Sequence, residues 1–338
     1  MNESPLLCEQ RLTKPDGAPQ HADPPELCGG YRLPVRLAVL DVGSNTVNLL
    51  VMDAAQGAAP VPVHTERMDL RLAEHITRDG RIRSAAVAKL VSIIKHAAYR
   101  ARKLQCEDLY AFATSAIREA SNGPEVIRTV RAHTGLELTV MPGPEEAALT
   151  FLAVRRWYGW SSGRLLVVDI GGGSVELAVG NDEVPEHAIS LPLGAGRMFR
   201  EYFQNDPPRS SEIKALRAHV ADSLSDTVAA FADGEEVGHC VATSKTFRQL
   251  ARLCQREGRG RDDGPPLLRR DELEDLTSRL VRMNVDERAQ LPRISETRAP
   301  QLAAGAVVAH ELMSQLGIDV IEVCPWALRE GVILQRIG

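Results

Sequence analysis

The sequence has no apolar run long enough to cross a membrane, and its first 30 residues contain no hydrophobic signal-peptide segment. The six cysteines are scattered, without a C-x-x-C pair: Cys8, Cys28, Cys106, Cys240, Cys254 and Cys324. This spacing argues against a zinc site, and a disulfide framework is not expected in a chain of 338 residues. These absences predict a protein of the reducing cytoplasm that has no membrane partner.

Basic residues are also fewer than acidic residues. The chain has 40 Lys and Arg residues against 45 Asp and Glu residues, so its formal net charge is −5. Proteins that coat nucleic acid neutralise its phosphates with basic side chains, so we expect no nucleic-acid partner. A local basic groove for a small polyanion is compatible with this balance. Hydrophobic residues make up 44% of the chain, enough for the cores of two domains.

Local patterns divide the chain into an arm and two α/β domains. Residues 1–34 are rich in proline and poor in apolar residues, which predicts a mobile arm. A partner-binding tail is the alternative for this segment. We predict a first domain over residues 35–157 and a second over residues 158–338, with packing of the last helix back on the first domain as an alternative. Residues 256–266, rich in Gly, Arg and Asp, predict an exposed loop.

One pattern occurs twice. The segments LAVLDVGSNTVNLLVMD and LLVVDIGGGSVELAVG each contain an apolar run, an aspartate, a glycine turn and alternating apolar residues. Their aspartates, Asp41 and Asp169, are too far apart for a solenoid repeat. The repeated pattern therefore predicts two similar domains, each beginning with a hairpin that presents an aspartate and a glycine turn.

Both turns contain the residue types expected of an anion site. The turn residues are Gly43, Ser44, Asn45 and Thr46 in the first hairpin, and Gly171, Gly172, Gly173 and Ser174 in the second. Glycines let several backbone N–H groups converge on one anion, and hydroxyl side chains add donors. An aspartate at the strand end can hold Mg²⁺, which prefers hard oxygen ligands. Either hairpin alone is also typical of an ordinary turn, so the interpretation depends on the matched pair.

The chain resembles the exopolyphosphatase/guanosine pentaphosphate phosphohydrolase family in five segments: DVGSNTVNLLVMDA, ATSAIREASN, GPEEAA, DIGGGSVEL and RAPQLAAGAVV…ALREGVIL. The resemblance extends over about residues 35–336. The segments TFLAVRRWYGW, SLPLGAGR and ATSKTFRQLARL are most similar to the short, two-domain exopolyphosphatases of actinobacteria. The resemblance implies an α/β fold of the actin/Hsp70/acetate-kinase type, with two RNase-H-like domains facing each other across a cleft. It also implies magnesium-dependent hydrolysis of terminal phosphate from inorganic polyphosphate.

The resemblance implies roles for acidic side chains. The family's general base, which activates the attacking water, matches Glu146, with Glu145 as a charged neighbour. Without the family, both glutamates are first-turn acids favoured by the helix dipole, a position from which an acid can also orient water. Asp169 and Glu176, with Asp41 as their first-domain counterpart, match acids that serve Mg²⁺, for which Mn²⁺ is an alternative. The alternative for Glu176 is a solvated strand residue.

Phosphate-binding positions are matched in the same way. Arg118 matches an arginine that contacts phosphate, although an exposed helix arginine is an equal interpretation, and Arg71 matches a position that lines the cleft. Ser244 and Lys245 lie where a strand meets a helix N-terminus, a natural anion site. Lys245 stands where the family usually has glycine, and it either adds a charge to the phosphate path or points outward. Ala148 replaces a family arginine, which leaves the chain-length preference open.

Three rival functions use the same fold. Guanosine pentaphosphate hydrolysis is the nearest; the absence of the long C-terminal extension of larger relatives favours polyphosphate, preferably short chains. A small-molecule kinase would need an adenosine pocket. The segment GAVV near Gly305 is a candidate lining for such a pocket, and a packed helix is the alternative for this segment. A nucleotide-dependent scaffold of actin type would polymerise. The expected partner is therefore polyphosphate or a phosphate-rich nucleotide, and the resemblance is compatible with a homodimer.

Overall fold

The computed structural model describes residues 34–77, 79–232, 236–255 and 265–338. The predicted arm, apart from Pro34, and most of the predicted loop at residues 256–266 lie outside the described residues. The chain divides into two compact units. Unit one contains the described residues up to Pro142 together with Arg329–Gly338, and unit two contains Gly143–Leu328.

Unit one is built on a five-stranded sheet. Its strands are β1 (Val35–Val42), β2 (Thr46–Ala54), β3 (Val61–Asp69), β4 (Asp108–Ala113) and β5 (Thr139–Val140). Its helices are α1 (Ser84–Lys103), α2 (Ser115–Arg118) and α3 (Gly123–Thr134), with a 3₁₀ turn at Leu72–His75. The strand order is β3-β2-β1-β4-β5, in which β2 alone runs antiparallel to its neighbours. This is the RNase-H-like arrangement that the resemblance implied.

Unit two repeats this arrangement and extends it. Its strands are β6 (Leu165–Ile170), β7 (Val175–Gly180), β8 (His187–Leu191), β9 (His239–Ala242), β10 (Leu267–Arg269) and β11 (Val320–Val323). Its helices are α4 (Gly143–Tyr158), α5 (Ala195–Tyr202), α6 (Ser210–Ala232), α7 (Ser244–Cys254), α8 (Arg270–Leu280), α9 (Val285–Ala289) and α10 (Ala299–Gln315), with a 3₁₀ turn at Trp160–Ser162. The strand order is β10-β11-β9-β6-β7-β8. The last helix, α11 (Leu328–Ile337), groups with unit one.

The central strands of both sheets are nearly continuous apolar runs. Leu37–Leu40 of β1 and Leu165–Val168 of β6 are buried. Such runs are typical of strands covered on both faces, whereas an alternating pattern indicates a strand with one solvent-exposed face. β3 shows that alternation, with every second residue exposed from Val63 to Asp69. None of the described helices is long and apolar enough to span a bilayer.

The structure divides the units before Gly143 rather than at the predicted boundary between residues 157 and 158. The reason is the packing of α4. Ala147, Phe151 and Val154 on its apolar face are buried in one cluster with Leu165 and Val167 of β6. A helix follows the sheet against which it buries its apolar face, so α4 belongs to unit two although the sequence places it directly after β5.

Arg155 fixes the end of α4. Its side chain is fully buried. Its guanidinium donates to the carbonyl oxygens of Gly159 (3.2 Å), Gly163 (2.9 Å) and Gly180 (2.9 Å), and to the Ser162 hydroxyl (3.2 Å). One side chain therefore joins backbone carbonyls at the entry to β6 to the carbonyl at the exit from β7.

We expect Arg155→Met to lower the free energy of unfolding by about 3 kcal/mol, because it removes four hydrogen bonds that a buried charged group makes. Arg156→Met is the matched control. Arg156 is partly exposed and pairs with Glu183 at 3.0 Å, so its loss should cost about 1 kcal/mol or less. Urea unfolding of both variants measures the difference, and equal losses would contradict the role of Arg155.

Candidate active site

The two glycine turns have the same geometry. Gly43 N donates to Thr46 O at 3.0 Å, and Gly171 N donates to Ser174 O at 2.9 Å. A Cβ atom on either glycine would lie 3.2 Å from the accepting oxygen, which is tighter than ordinary van der Waals contact. The predicted pair of similar turns is therefore present, and each turn joins two antiparallel strands.

In unit one, the turn is tied to the segment after β3. The Asn45 carbonyl accepts hydrogen bonds from Leu70 N (3.0 Å) and Arg71 N (2.8 Å). Arg71 has φ 57° and ψ 42°, a left-handed conformation that is uncommon outside glycine and often marks functional positions. Its guanidinium is half-exposed and lies 3.8 Å from Glu74. The structure thus brings Arg71 next to the first turn.

The other candidates of unit one lie at the same edge of the sheet. Ser44 Oγ is 3.4 Å from Ser115 Oγ, and Ser115 begins α2 directly after β4. Asp41 is half-buried near the end of β1; burial raises its pKa, while the positive charge of Arg329 in α11 opposes that shift. Arg118 is half-buried and donates to Met141 O at 2.9 Å, so one of its contacts is to the protein backbone.

In unit two, Asp169 and Glu176 are cross-strand partners on one face of the β6–β7 hairpin. The buried Thr243 hydroxyl donates to Asp169 Oδ2, and Ser190 Oγ donates to Glu176 Oε1 at 2.8 Å. Glu176 Oε2 lies 4.0 Å from the Cβ position of Gly171. Glu176 is only 3% exposed, so its alternative interpretation as a solvated strand residue is wrong.

The first turn of α5 holds the carbonyl oxygens of the glycine loop. Ala195 N donates to Gly171 O and Arg197 N donates to Gly172 O, both at 3.0 Å. Arg197 Nε donates to Gly173 O at 3.1 Å. Within the part of the chain that the structure describes, the N–H groups of residues 172–174 have no acceptor. A loop whose consecutive N–H groups are unused can bind an anion.

Glycine is required where α5 meets this loop. A Cβ on Gly194 would lie 2.3 Å from the Gly173 carbonyl carbon and 2.4 Å from Ser174 N. No side chain fits at that distance, so the SLPLGAGR segment needs its first glycine for the close approach of two backbones.

Glu146 lies toward the same end of unit two as the loop. Arg155, nine residues later in α4, reaches Gly163 and Gly180 at the opposite end of the β6–β7 hairpin. At ~1.5 Å per residue, Glu146 is about 14 Å further along the helix, close to the length of β6. Glu146 is half-buried, and Glu145 is half-buried with its pKa raised by burial.

Thr114 and Thr243 are two further candidate positions that the motifs alone did not single out. Each follows a strand and donates its backbone N–H to the neighbouring central strand. The signal was the repeated Ala-Thr-Ser at residues 113–115 and 242–244. Ser244 begins α7 with φ 70°, a strained conformation for serine, and Lys245 is half-buried.

The donor set of unit two suits a hard cation. Asp169 and Glu176 supply carboxylate oxygens, each oriented by a hydroxyl donor, and Mg²⁺ is commonly held by one or two carboxylates together with water and phosphate. No group of three or more His, Cys, Asp or Glu side chains suited to a metal occurs among the described residues. The fit therefore depends on these two carboxylates.

Gly305 is buried inside unit two. It lies in α10, whose residues from Ala299 to Met313 are buried except at Pro300, and its Cβ position is 3.0 Å from Thr246 Cγ2 and 3.1 Å from Ala195 Cβ. The packed-helix interpretation of GAVV is therefore confirmed, and the adenosine pocket that a kinase would need is not at this position.

Comparison with known proteins identifies relatives over most of the chain. The sequence model of the Ppx/GppA phosphatase family matches residues 50–338. The chain is 47% identical over 307 residues to exopolyphosphatase 1 of Mycobacterium leprae, covering 90% of each chain. It is equally identical to exopolyphosphatase 1 of Mycobacterium tuberculosis, covering 88% of that protein.

Solved structures agree on the fold. The crystal structure of an exopolyphosphatase from Cytophaga hutchinsonii superposes with a TM-score of 0.80 at 24% identity, covering 89% of this chain and 97% of that one. The Ppx/GppA enzyme of Aquifex aeolicus superposes with a TM-score of 0.74 at 25% identity, covering 89% and 99%.

The raised pKa of Glu145 predicts a pH-dependent effect on stability. The stabilising contribution of a carboxyl group with a raised pKa is present below its unfolded value, near 4.5, and is lost as pH rises through the folded pKa. We therefore expect Glu145→Gln to match wild type near pH 4 and to be the more stable protein at pH 7. Unfolding by urea across this range measures the difference.

Glu212→Gln is the control of opposite sign. Slight burial of Glu212 favours a higher pKa, but donors from Arg209 N, Asn205 and Gln204 N outweigh it and lower the pKa. This variant should be less stable than wild type at pH 7, and the deficit should shrink as pH falls. The same sign for both variants would contradict the assignment.

Proposed function

The chain belongs to the Ppx/GppA phosphatase family, and we propose that it is an exopolyphosphatase that removes terminal phosphate from inorganic polyphosphate. The observation that carries the proposal is the Gly171–Ser174 loop, whose N–H groups at residues 172–174 have no acceptor within the described ranges. Relatives with 47% identity are named exopolyphosphatases, which supports the same substrate here. The reaction is hydrolysis of a phosphoanhydride bond.

In the proposed mechanism, Glu146 orients the attacking water and accepts its proton. The water oxygen bonds to the terminal phosphorus, the bond from that phosphorus to the bridging oxygen breaks, and the shortened chain leaves. Little covalent chemistry is asked of the protein, because phosphoryl transfer depends mainly on positioning and on electrostatic stabilisation. The position of Glu146 toward the loop end of α4 suits this role.

The glycine loop stabilises negative charge in this mechanism. The N–H groups of residues 172–174 donate to the phosphoryl oxygens, and α5 keeps the loop carbonyls turned to itself. Asp169 and Glu176 would hold Mg²⁺, which when bound supplies charge neutralisation at phosphate oxygens. The proposal keeps the roles that the resemblance implies in metal or phosphate contacts, for Asp41, Arg71 and Arg118 within unit one and for Ser244 and Lys245 within unit two.

Guanosine pentaphosphate is the second candidate substrate, because the resemblance described from the sequence motifs implies this activity as well as polyphosphate hydrolysis. The bond broken and the groups required are the same, so only substrate comparison separates the two. Short polyphosphate is our proposed preference.

We expect Glu146→Gln to reduce phosphate release from polyphosphate by a hundredfold or more, because the amide keeps the shape of the side chain and cannot accept the proton. Phosphate release from short and long polyphosphate, guanosine pentaphosphate and ATP should be measured for both proteins with Mg²⁺ present.

Glu145→Gln is the matched control and should retain most of the activity. Full activity of Glu146→Gln would show that Glu146 is not the general base. Faster release from guanosine pentaphosphate than from any polyphosphate would replace the proposed substrate. No release from any of the four substrates would contradict the hydrolase.

Thr243→Val should raise the Mg²⁺ concentration for half-maximal activity by ~10-fold, because Asp169 loses the hydroxyl that orients its carboxylate. Valine keeps the shape of a fully buried side chain. Thr243→Ser retains the hydroxyl and should stay near the wild-type value. A Mg²⁺ titration that does not distinguish the two variants would contradict the role of the Thr243 hydroxyl in orienting Asp169.

A further inference from the structure

Helices α1 and α3 of unit one carry an excess of positive charge. The sequence of α1 contains five Lys or Arg residues and no Asp or Glu. That of α3 adds Arg128 and Arg131 against one acidic residue, Glu125. The chain as a whole has a formal net charge of −5, so basic charge is concentrated on these two helices.

The two helices lie side by side on one face of the five-stranded sheet. α1 connects β3 to β4 and α3 connects β4 to β5, and these three strands are parallel to one another. Both connections cross the sheet in the same direction, so right-handed crossovers place both helices on the same face. Ile94 of α1 and Val126 and Val130 of α3 are buried in one cluster. The opposite sides of both helices therefore face solvent together.

Five basic side chains on these solvent-facing sides form what we call the basic face. They are Lys89, Lys95 and Arg102 of α1, and Arg128 and Arg131 of α3, and all five residues are exposed. Within the part of the chain that the structure describes, none of the five side chains forms an ion pair or a hydrogen bond.

Two acidic residues next to the basic face are already paired. Glu66 lies 2.7 Å from His96 and 3.3 Å from Arg100, and Glu125 lies 2.9 Å from Arg81. These carboxylates therefore neutralise other basic side chains and not those of the basic face. A cluster of like charges without counter-charges creates a local positive potential that attracts anions, even on a protein with net negative charge.

The shape of the basic face suits a linear anion. Lys89 and Arg102 are separated by about 20 Å along the axis of α1, and the α3 side chains lie on a parallel helix about 10 Å away. A small anion can contact only one part of such a surface. A linear polyanion can contact most of it at once.

The exposed residue types favour a chain of phosphates over a nucleic acid or a membrane. On α1 and α3, which the structure describes in full, Tyr99 is the one exposed large apolar side chain, and Lys103 lies 5.6 Å from its ring centre. Proteins that bind single-stranded nucleic acid stack successive bases on several aromatic side chains. A helix that binds a membrane surface inserts an apolar face. The basic face offers charge with neither of these additions.

We propose that the basic face binds the body of long-chain polyphosphate outside the active site. The proposal rests on the proposed function. A long chain bound on this surface stays at the enzyme, which raises the local concentration of its ends. Tripolyphosphate contacts only part of the basic face and gains little from it. Short chains, the proposed preference, therefore do not need this surface.

The test uses a triple variant of the full chain, Lys89→Gln, Lys95→Gln and Arg102→Gln. Glutamine is a good helix former and the three positions are exposed, so we expect the variant to fold as wild type does. In the Glu146→Gln background, the Kd of end-labelled long-chain polyphosphate should rise ~10-fold at about 50 mM salt. At about 200 mM salt the difference should nearly vanish, because three fewer charges lower the slope of log K against log salt by about two.

Chain length and a matched control make the test specific. The Kd of tripolyphosphate, measured by calorimetry, should change by no more than about twofold in the triple variant. The control variant, Arg252→Gln, Arg279→Gln and Arg282→Gln, removes the same charge from exposed positions of unit two. It should leave both Kd values within about twofold of the parent protein.

Equal losses in the two triple variants would overturn the proposal, because net charge alone would then explain them. An equal loss for tripolyphosphate and for the long chain would also overturn it. Tighter binding of a single-stranded oligonucleotide or of anionic vesicles, lost in the Lys89, Lys95 and Arg102 variant, would replace polyphosphate as the partner.

Binding and turnover separate this proposal from the proposed function. Without Glu146→Gln, the triple variant should show a ~10-fold higher KM for the long chain at about 50 mM salt, with kcat unchanged. A wild-type protein that releases no phosphate would contradict the proposed function, whereas the Kd values decide on the basic face independently of turnover.

Discussion

In both units, the N–H of one glycine donates to the carbonyl three residues later, and the second strand thereby returns along the first in a fixed register. That register pairs Asp169 with Glu176, and Asp41 with Asn48, on the same face of their hairpins. A slip by one residue would move these side chains to the opposite face of the sheet. The placement of the acidic groups therefore depends on the closure of the two turns.

Sequence patterns predicted the features that local chemistry controls. The two hairpins, the helix before Arg155 and the strand-to-helix step at Ser244 follow from apolar runs, glycines and helical spacing. Contacts between distant segments could not be predicted from local patterns. Thr243 donates to Asp169 across 74 residues, and α5, which follows β8, donates to the glycine loop between β6 and β7. The unit to which α4 belongs was also mispredicted, because an amphipathic helix does not reveal which sheet will cover its apolar face.

Helix α4 connects stability to the candidate chemistry in unit two. Its far end is held by Arg155, whose four hydrogen bonds fix it to both ends of the 3₁₀ turn and to the end of β7. Its near end carries Glu146, and the apolar face between the two is buried against β6 and β7. Because a helix is stiff over this length, the position of the carboxylate follows from an anchor about 14 Å away.

The membership of α11 in unit one has a consequence for synthesis on the ribosome. Val332, Ile333 and Leu334 are buried, and Arg336 donates to the Tyr110 hydroxyl of β4. The four residues of α11 are translated after the whole of unit two, whereas Tyr110 is translated before it. Unit two is continuous in the chain and can complete its core as it emerges, whereas unit one must wait for its last helix. During translation, unit one therefore begins first but completes its fold after unit two.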